Sequence, residues 1–194
     1  MTMLPPRSLR MTPEQYLTCE RLAETRSEFH DGELVSMAGA RPRHILIVTN
    51  LIVSFYKQLD ESGCKVYSND LRVGDPSQRR YYYPDLAIVC GPEEFEEGSD
   101  DVLVNPVVLV EVLSPLTERI DRDLKVQRYQ LIDSLREYVL VSTQRRRIEV
   151  YRRGDEGTWL YESYPFKPWP ARLASVECRL DPDEVYRNVD VPEE

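Results

Sequence analysis

Two acids stand where a soluble chain seldom puts them. Asp85 follows a proline at the mouth of the apolar run "YYYPDLAIV", and Glu111 lies inside "VVLVEVLSP" with a valine on each side. A carboxylate buried alone costs several kcal/mol unless it is paired, protonated or bound to a metal. Singly, each has a structural explanation: Pro-Asp at a strand start makes an Asx-type turn, and Glu111 could pair with one of the chain's arginines or sit at a solvent-facing strand end. Together they allow more, because successive strands tend to lie side by side. Both carboxylates could then converge on one hard divalent cation. Mg2+ suits such a place, since it takes one or two carboxylates and fills its shell with waters and substrate phosphates. The backbone carbonyl of Val112 is a further oxygen donor there. An ion so held polarises a phosphate and acidifies a bound water.

Such chemistry also needs positive charge near the phosphate, and Lys125 is the candidate. On a helix over 117–132, Asp121, Lys125, Tyr129 and Ile132 share one face. A flexible lysine stem can reach from there over a strand end. An exposed lysine paired with Asp121 explains the same spacing.

The elements that must hold these groups are legible in the pattern. "MTPEQYLTCERLAETRSEF" opens with Thr12, Pro13 and Gln15, a capping box before a helix. Asp31-Gly32 marks a hairpin. "PRHILIVTNLIVSFYKQLDESG" reads as a second helix with Ile45, Val48, Leu51, Ile52, Phe55 and Leu59 on its apolar face. Three strands follow, "CKVYSNDLRV", "YYYPDLAIVC" and "VVLVEVL", the first two joined by the turn-rich "GDPSQRR". Next come a third helix with Thr117 as N-cap, the strands "EYVLVST" and "RRIEVYRR", and "GTWLYESY", which extends the hairpin series. This order predicts an α/β fold, a mixed sheet with helices against it.

Composition sets the limits. A length of 194 residues suits one domain. The net charge of −9 argues against a dedicated duplex-binding domain, which is usually basic. Six acids in "GPEEFEEGSDD" and the arginine clusters at 79–80, 145–147 and 152–153 read as solvated turns. Cys19, Cys64, Cys90 and Cys178 are scattered singly, which argues against zinc and disulfides and for apolar fillers in a reducing compartment. No apolar run approaches the ~20 residues of a membrane span, and "MTMLPPRSLR" lacks the apolar core of a signal peptide. A cytoplasmic location is expected.

"YPD" at 83–85, "VEVLSP" at 110–115 and "DRDLKVQRYQ" at 121–130 resemble the PD-(D/E)XK nuclease superfamily. More narrowly, they resemble its bacterial branch labelled "putative restriction endonuclease", and "FHDGELVSMAGARPRH" is similar to that branch's N-terminal segment. The superfamily places a lysine two residues after the glutamate, where this chain has Leu113; the branch moves it to the following helix, where Lys125 stands. The resemblance implies one restriction-endonuclease-like domain over 1–194 with an N-terminal helix and hairpin extension. Asp85 and Glu111 become ligands of Mg2+, with Mn2+ as substitute, and Lys125 the group that orients water or stabilises charge. Glu33 and His44 match the branch's pattern, Glu33 as an extra metal ligand and His44 as a phosphate contact or acid/base, though a hairpin surface charge and a helix cap explain them equally; Ser114 and Tyr129 match it as supports. The implied activity is hydrolysis of nucleic acid, DNA cut internally; separately, the hairpin strands after residue 136 offer edges through which a homodimer could form. The alternative is a nuclease-fold module that binds or dimerises without turnover. Tyr81, Tyr82 and Tyr83 could stack bases, though strands are rich in tyrosine anyway.

Overall fold

The computed structural model describes residues 10–37, 39–75, 79–165 and 170–193. The expectation for the extreme N-terminus and the middle of the "GDPSQRR" turn lie outside the described residues. Helix α1 (Pro13–Glu20) starts with the full capping box: Gln15 N donates to Thr12 Oγ1 at 3.3 Å and Thr12 N to Gln15 Oε1 at 2.9 Å. Strands β1 (Ser27–His30) and β2 (Glu33–Ser36) form the expected hairpin. Asp31 (φ 54°) and Gly32 (φ 100°) both take the left-handed backbone that a two-residue turn of this twist requires.

Helix α2 (Pro42–Leu59) buries Ile47, Leu51, Phe55 and Leu59, a strict four-residue ladder. Burying each is worth about 1.5–3 kcal/mol, enough to choose which face turns inward. The face is rotated from the expected one, for Ile45 is exposed and Ile47 takes the buried place.

The strands are β3 (Cys64–Ser68), β4 (Arg72–Asp75), β5 (Arg80–Tyr82), β6 (Leu86–Cys90), β7 (Val102–Leu103), β8 (Val108–Leu113), β9 (Glu137–Ser142), β10 (Arg147–Arg153), β11 (Trp159–Pro165), β12 (Ala171–Leu173) and β13 (Cys178–Leu180). A short helix α4 (Pro182–Val185) follows. Two expected strands are each split in two. "CKVYSNDLRV" turns at 69–71, and "YYYPDLAIVC" breaks at Tyr83-Pro84-Asp85, where proline has no N–H for a ladder. The break is a change of sheet. β5 belongs to a five-stranded sheet ordered β2-β1-β5-β4-β7, and β6 to a six-stranded sheet ordered β11-β10-β9-β8-β6-β3. Within these, β8–β9 and β4–β7 are parallel and the other pairs antiparallel, so the fold is the mixed α/β architecture expected.

Strand β8 shows how the layers stack. Val108, Val110 and Val112 pack with α2, α4 and the β12–β13 hairpin on one face. Leu109 and Leu113 pack on the other with Tyr82, Val126 and Tyr129. Glu111 has the parity of the second face. The helical segment after β8 begins directly after Thr117, whose carbonyl accepts from Ile120 N at 2.8 Å and Asp121 N at 3.0 Å, while Ser114 Oγ accepts from Thr117 N at 3.2 Å in the turn before it. A π-helical turn (Ile120–Lys125) then runs into α3 (Val126–Tyr129). Such turns add a residue and recur at functional sites.

Three other expectations are corrected. Cys64 and Cys90, opposite each other on β3 and β6, are joined in a disulfide; Cys178 is a buried filler and Cys19 is exposed. Tyr81, Tyr82 and Tyr83 are buried and so cannot stack bases. The charged clusters also do structural work. Asp101 of the acidic loop holds Arg21 and Arg72, Glu96 accepts from Tyr81, and Arg152 bonds the fully buried Glu137 at 2.8 Å. Arg153 donates to three backbone carbonyls and lies over Trp159.

Candidate active site

The site forms where the chain leaves one sheet for the other. The β6–β8 ladder ends with Leu86 opposite Val110, and one step further Asp85 comes opposite Glu111. Freed from the ladder, Val112 N donates to Asp85 Oδ2 at 2.7 Å. His44, in the first turn of α2, brings Nε2 to 3.1 Å from the same oxygen. The structure thus brings His44 together with Asp85. Its other ring nitrogen, Nδ1, is buried with no hydrogen-bond partner among the described residues.

Lys125 is buried and holds three carboxylates. Its Nζ lies 2.8 Å from Glu28 Oε1, 2.9 Å from Glu111 Oε1 and 3.4 Å from Asp121 Oδ1. An ammonium has three protons to donate, so one lysine can serve all three acids. Tyr129 donates its hydroxyl to Glu111 Oε1 at 3.0 Å. The expected face of Asp121, Lys125 and Tyr129 therefore points inward onto Glu111, and the exposed-lysine explanation fails because Lys125 is 5% exposed.

Glu28 went unnoticed in the sequence. It accepts from Tyr83 N at 3.2 Å through Oε1 and stands 3.0 Å from His30 Nε2 through Oε2. Glu28 and His30 alternate around Phe29, which packs on α1, so both must face the other way. That alternation was readable, but a polar strand face usually meets water. Here that face of the five-stranded sheet turns inward, toward Lys125 and the six-stranded sheet, leaving Glu28 and His30 only 5% and 8% exposed. Both histidines of the chain thus end beside site carboxylates. Glu33, by contrast, is exposed on β2, and no hydrogen bond or ion pair ties it to the cluster among the described residues.

The charges are unevenly matched, with four carboxylates (Glu28, Asp85, Glu111 and Asp121) around one lysine and two histidines. Burial, with Asp121, Asp85 and Glu28 adding to it, pushes the Glu111 carboxyl well above its usual range. Burial likewise raises Asp121. Burial opposes charge on Glu28 too, but Lys125 and His30 outweigh it and pull the carboxyl down to about 2. Desolvation alone would depress Lys125; Glu111, Glu28 and Asp121 together raise it well above an ordinary lysine. His44 follows the same logic, depressed by burial and raised on balance by Asp85.

This donor set suits a cation. Asp85 Oδ1 and Glu111 Oε2 carry no hydrogen bond among the described residues, and the surplus of buried negative charge favours a positive guest. No group of three or more His, Cys, Asp or Glu residues stands ready to cage a metal among the described residues. Asp85 and Glu111 each keep one oxygen that could serve as a ligand.

Comparison with known proteins places the fold first. The structure matches the crystal structure of "a putative nuclease belonging to DUF820" from Anabaena variabilis with a TM-score of 0.73 at 15% identity, covering 91% of this chain and 97% of that one. The fold is thus shared with a chain of quite different sequence. The family follows from sequence: residues 13–181 match the Uma2 family, described as "Putative restriction endonuclease", and the chain belongs to it. Two Synechocystis proteins are similar, "Uncharacterized protein slr1290" at 31% identity over 93% of each chain, and "Uncharacterized protein sll1609" at 29% over 77% of this chain and 85% of that one. No helix among the described residues is long and apolar enough to cross a membrane.

Proposed function

We propose that the protein is a Mg2+-dependent nuclease that hydrolyses internal phosphodiester bonds of DNA. The observation that carries the reading is the meeting of Asp85, Glu111 and Lys125 at the seam between the two sheets, with Lys125 Nζ 2.9 Å from Glu111. Membership of the Uma2 family supports it. Asp85 and Glu111 would hold the ion, with the carbonyl of Val112 as third donor. Mg2+, or Mn2+ in its place, supplies polarisation of the scissile phosphate and a more acidic bound water. Lys125 acts as a fixed positive charge rather than as a base, because the surrounding carboxylates keep its proton on. It orients the attacking water and offsets charge developing on the phosphate. His44, beside Asp85, offers a contact to a phosphate oxygen. Strand β11 ends the six-stranded sheet and provides the edge for a homodimer.

A nuclease-fold binding or dimerisation module without turnover is the second reading, favoured by the net charge of −9. One assay separates the two. Wild type and Asp85→Ala, purified identically and checked for equal helix and strand content, are incubated with Mg2+ or Mn2+ and with duplex DNA, single-stranded DNA and RNA. Cleavage of DNA by wild type alone is expected. Equal activity in both proteins overturns the assignment, and binding without cleavage favours the second reading.

A further inference from the structure

We infer that Glu28 is a positioning residue for Lys125, holding its ammonium between two sheets so that Glu111 keeps an oxygen for the ion. The inference rests on the proposed nuclease reading for its purpose, but not for its geometry.

Three observations carry it. The contact of 2.8 Å between Lys125 Nζ and Glu28 Oε1 is the shortest of the lysine's three ion pairs, and it spans 97 residues of sequence. Second, Glu28 is itself fixed at both oxygens, by Tyr83 N and by His30 Nε2. The amide at Tyr83 belongs to the Tyr83-Pro84-Asp85 break, so the group that places Lys125 is anchored to the backbone that places Asp85. Third, His30 packs its ring against Tyr82 at 5.1 Å, and Tyr82 packs edge-on against Tyr129 at 5.0 Å. The clamp therefore returns through aromatic contacts to the tyrosine that donates to Glu111.

Without Glu28, Lys125 would have only Glu111 and Asp121 as charged partners. The ammonium would settle more fully on Glu111 and compete there with a metal ion. Charge-assisted hydrogen bonds of this kind change equilibria by about tenfold or more.

Glu28→Gln keeps the shape and an oxygen for Tyr83 N while removing the charge. The chain has four lysines, so spectra of protein labelled at lysine side-chain nitrogen are simple. A protected ammonium signal that disappears in Lys125→Met identifies Lys125. In Glu28→Gln this signal is expected to shift and exchange faster with water, while thermal unfolding remains a single cooperative transition. Calorimetric titration with Mn2+ should show affinity about tenfold weaker, restored in the double variant Glu28→Gln with Lys125→Met, which removes both clamp and competitor. If Glu28→Gln does not fold, Glu28→Asp, one methylene shorter, takes its place with the same readouts. An unchanged ammonium signal overturns the inference, as does weakened Mn2+ binding that the double variant fails to restore. Should wild type bind no Mn2+, the nuclease reading falls while the ammonium signal still decides the role of Glu28.

Discussion

Replacing Lys125 by methionine probes the cluster most directly. The stem is nearly preserved, and what disappears is the ammonium 2.8, 2.9 and 3.4 Å from Glu28, Glu111 and Asp121. All three acids are at most 5% exposed, so solvent screens little of the loss. Removing one partner of a buried pair costs about 3–5 kcal/mol, and a domain of this size loses roughly 2–4 °C of Tm per kcal/mol. The expected fall at pH 7.5 is therefore about 6–20 °C, by calorimetry in chelator. The sign of its pH dependence follows from the acids. Glu111 and Asp121 already titrate above their ordinary values, and losing the cation raises them further. Between the unfolded and folded values the native state binds more protons than the unfolded chain, so stability rises as pH falls through that window. The gap between wild type and variant should narrow between pH 7.5 and pH 5. A Tm within a degree of wild type, or a gap that widens on acidification, would refute the account of Lys125 as the counter-ion of this cluster.

Two further expectations concern neighbouring groups. His44 titrates above its ordinary value because of Asp85, so its contribution to stability is complete below the unfolded value and is lost as pH rises through the folded one. Unfolding of His44→Ala beside wild type should show the larger difference at pH 6 and the smaller at pH 9; the reverse order would count against the ion pair. The Cys64–Cys90 bridge closes a sequence separation of 26 residues, worth about 3–4 kcal/mol on loop entropy. Cys64→Ser with Cys90→Ser should unfold at correspondingly lower denaturant, and a midpoint indifferent to both substitution and reductant would mean the thiols are not joined.

Local chemistry was readable wherever one residue dictates one geometry. The capping box at Thr12 and the Asp31-Gly32 turn declare themselves, because few backbones satisfy those side chains. Asp85 and Glu111 stood out because a carboxylate in an apolar run is anomalous in any fold, and Lys125 because it shares a helix face with Asp121 and Tyr129. Glu28 carries no such anomaly: in a strand of alternating character it looks like surface, and only the docking of one sheet on another makes it interior. The break at Pro84 was visible as a proline, but not as a passage between sheets, since the partners of β5 and β6 lie far away in sequence. The disulfide was missed for the same reason, as Cys64 and Cys90 meet through strand register rather than spacing. Glu33 was chosen by likeness to a pattern; it shares the sheet face of its register partner His30, and it is exposed because β2 is the edge strand of its sheet.

The 97 residues between Glu28 and Lys125 have a consequence during synthesis. The first acid of the cluster leaves the ribosome long before the cation it will hold, with Asp85 and Glu111 emerging in between. No chain interrupted before residue 125 contains the full set. A polypeptide cut short before residue 125 therefore lacks the ammonium that Glu28, Glu111 and Asp121 share.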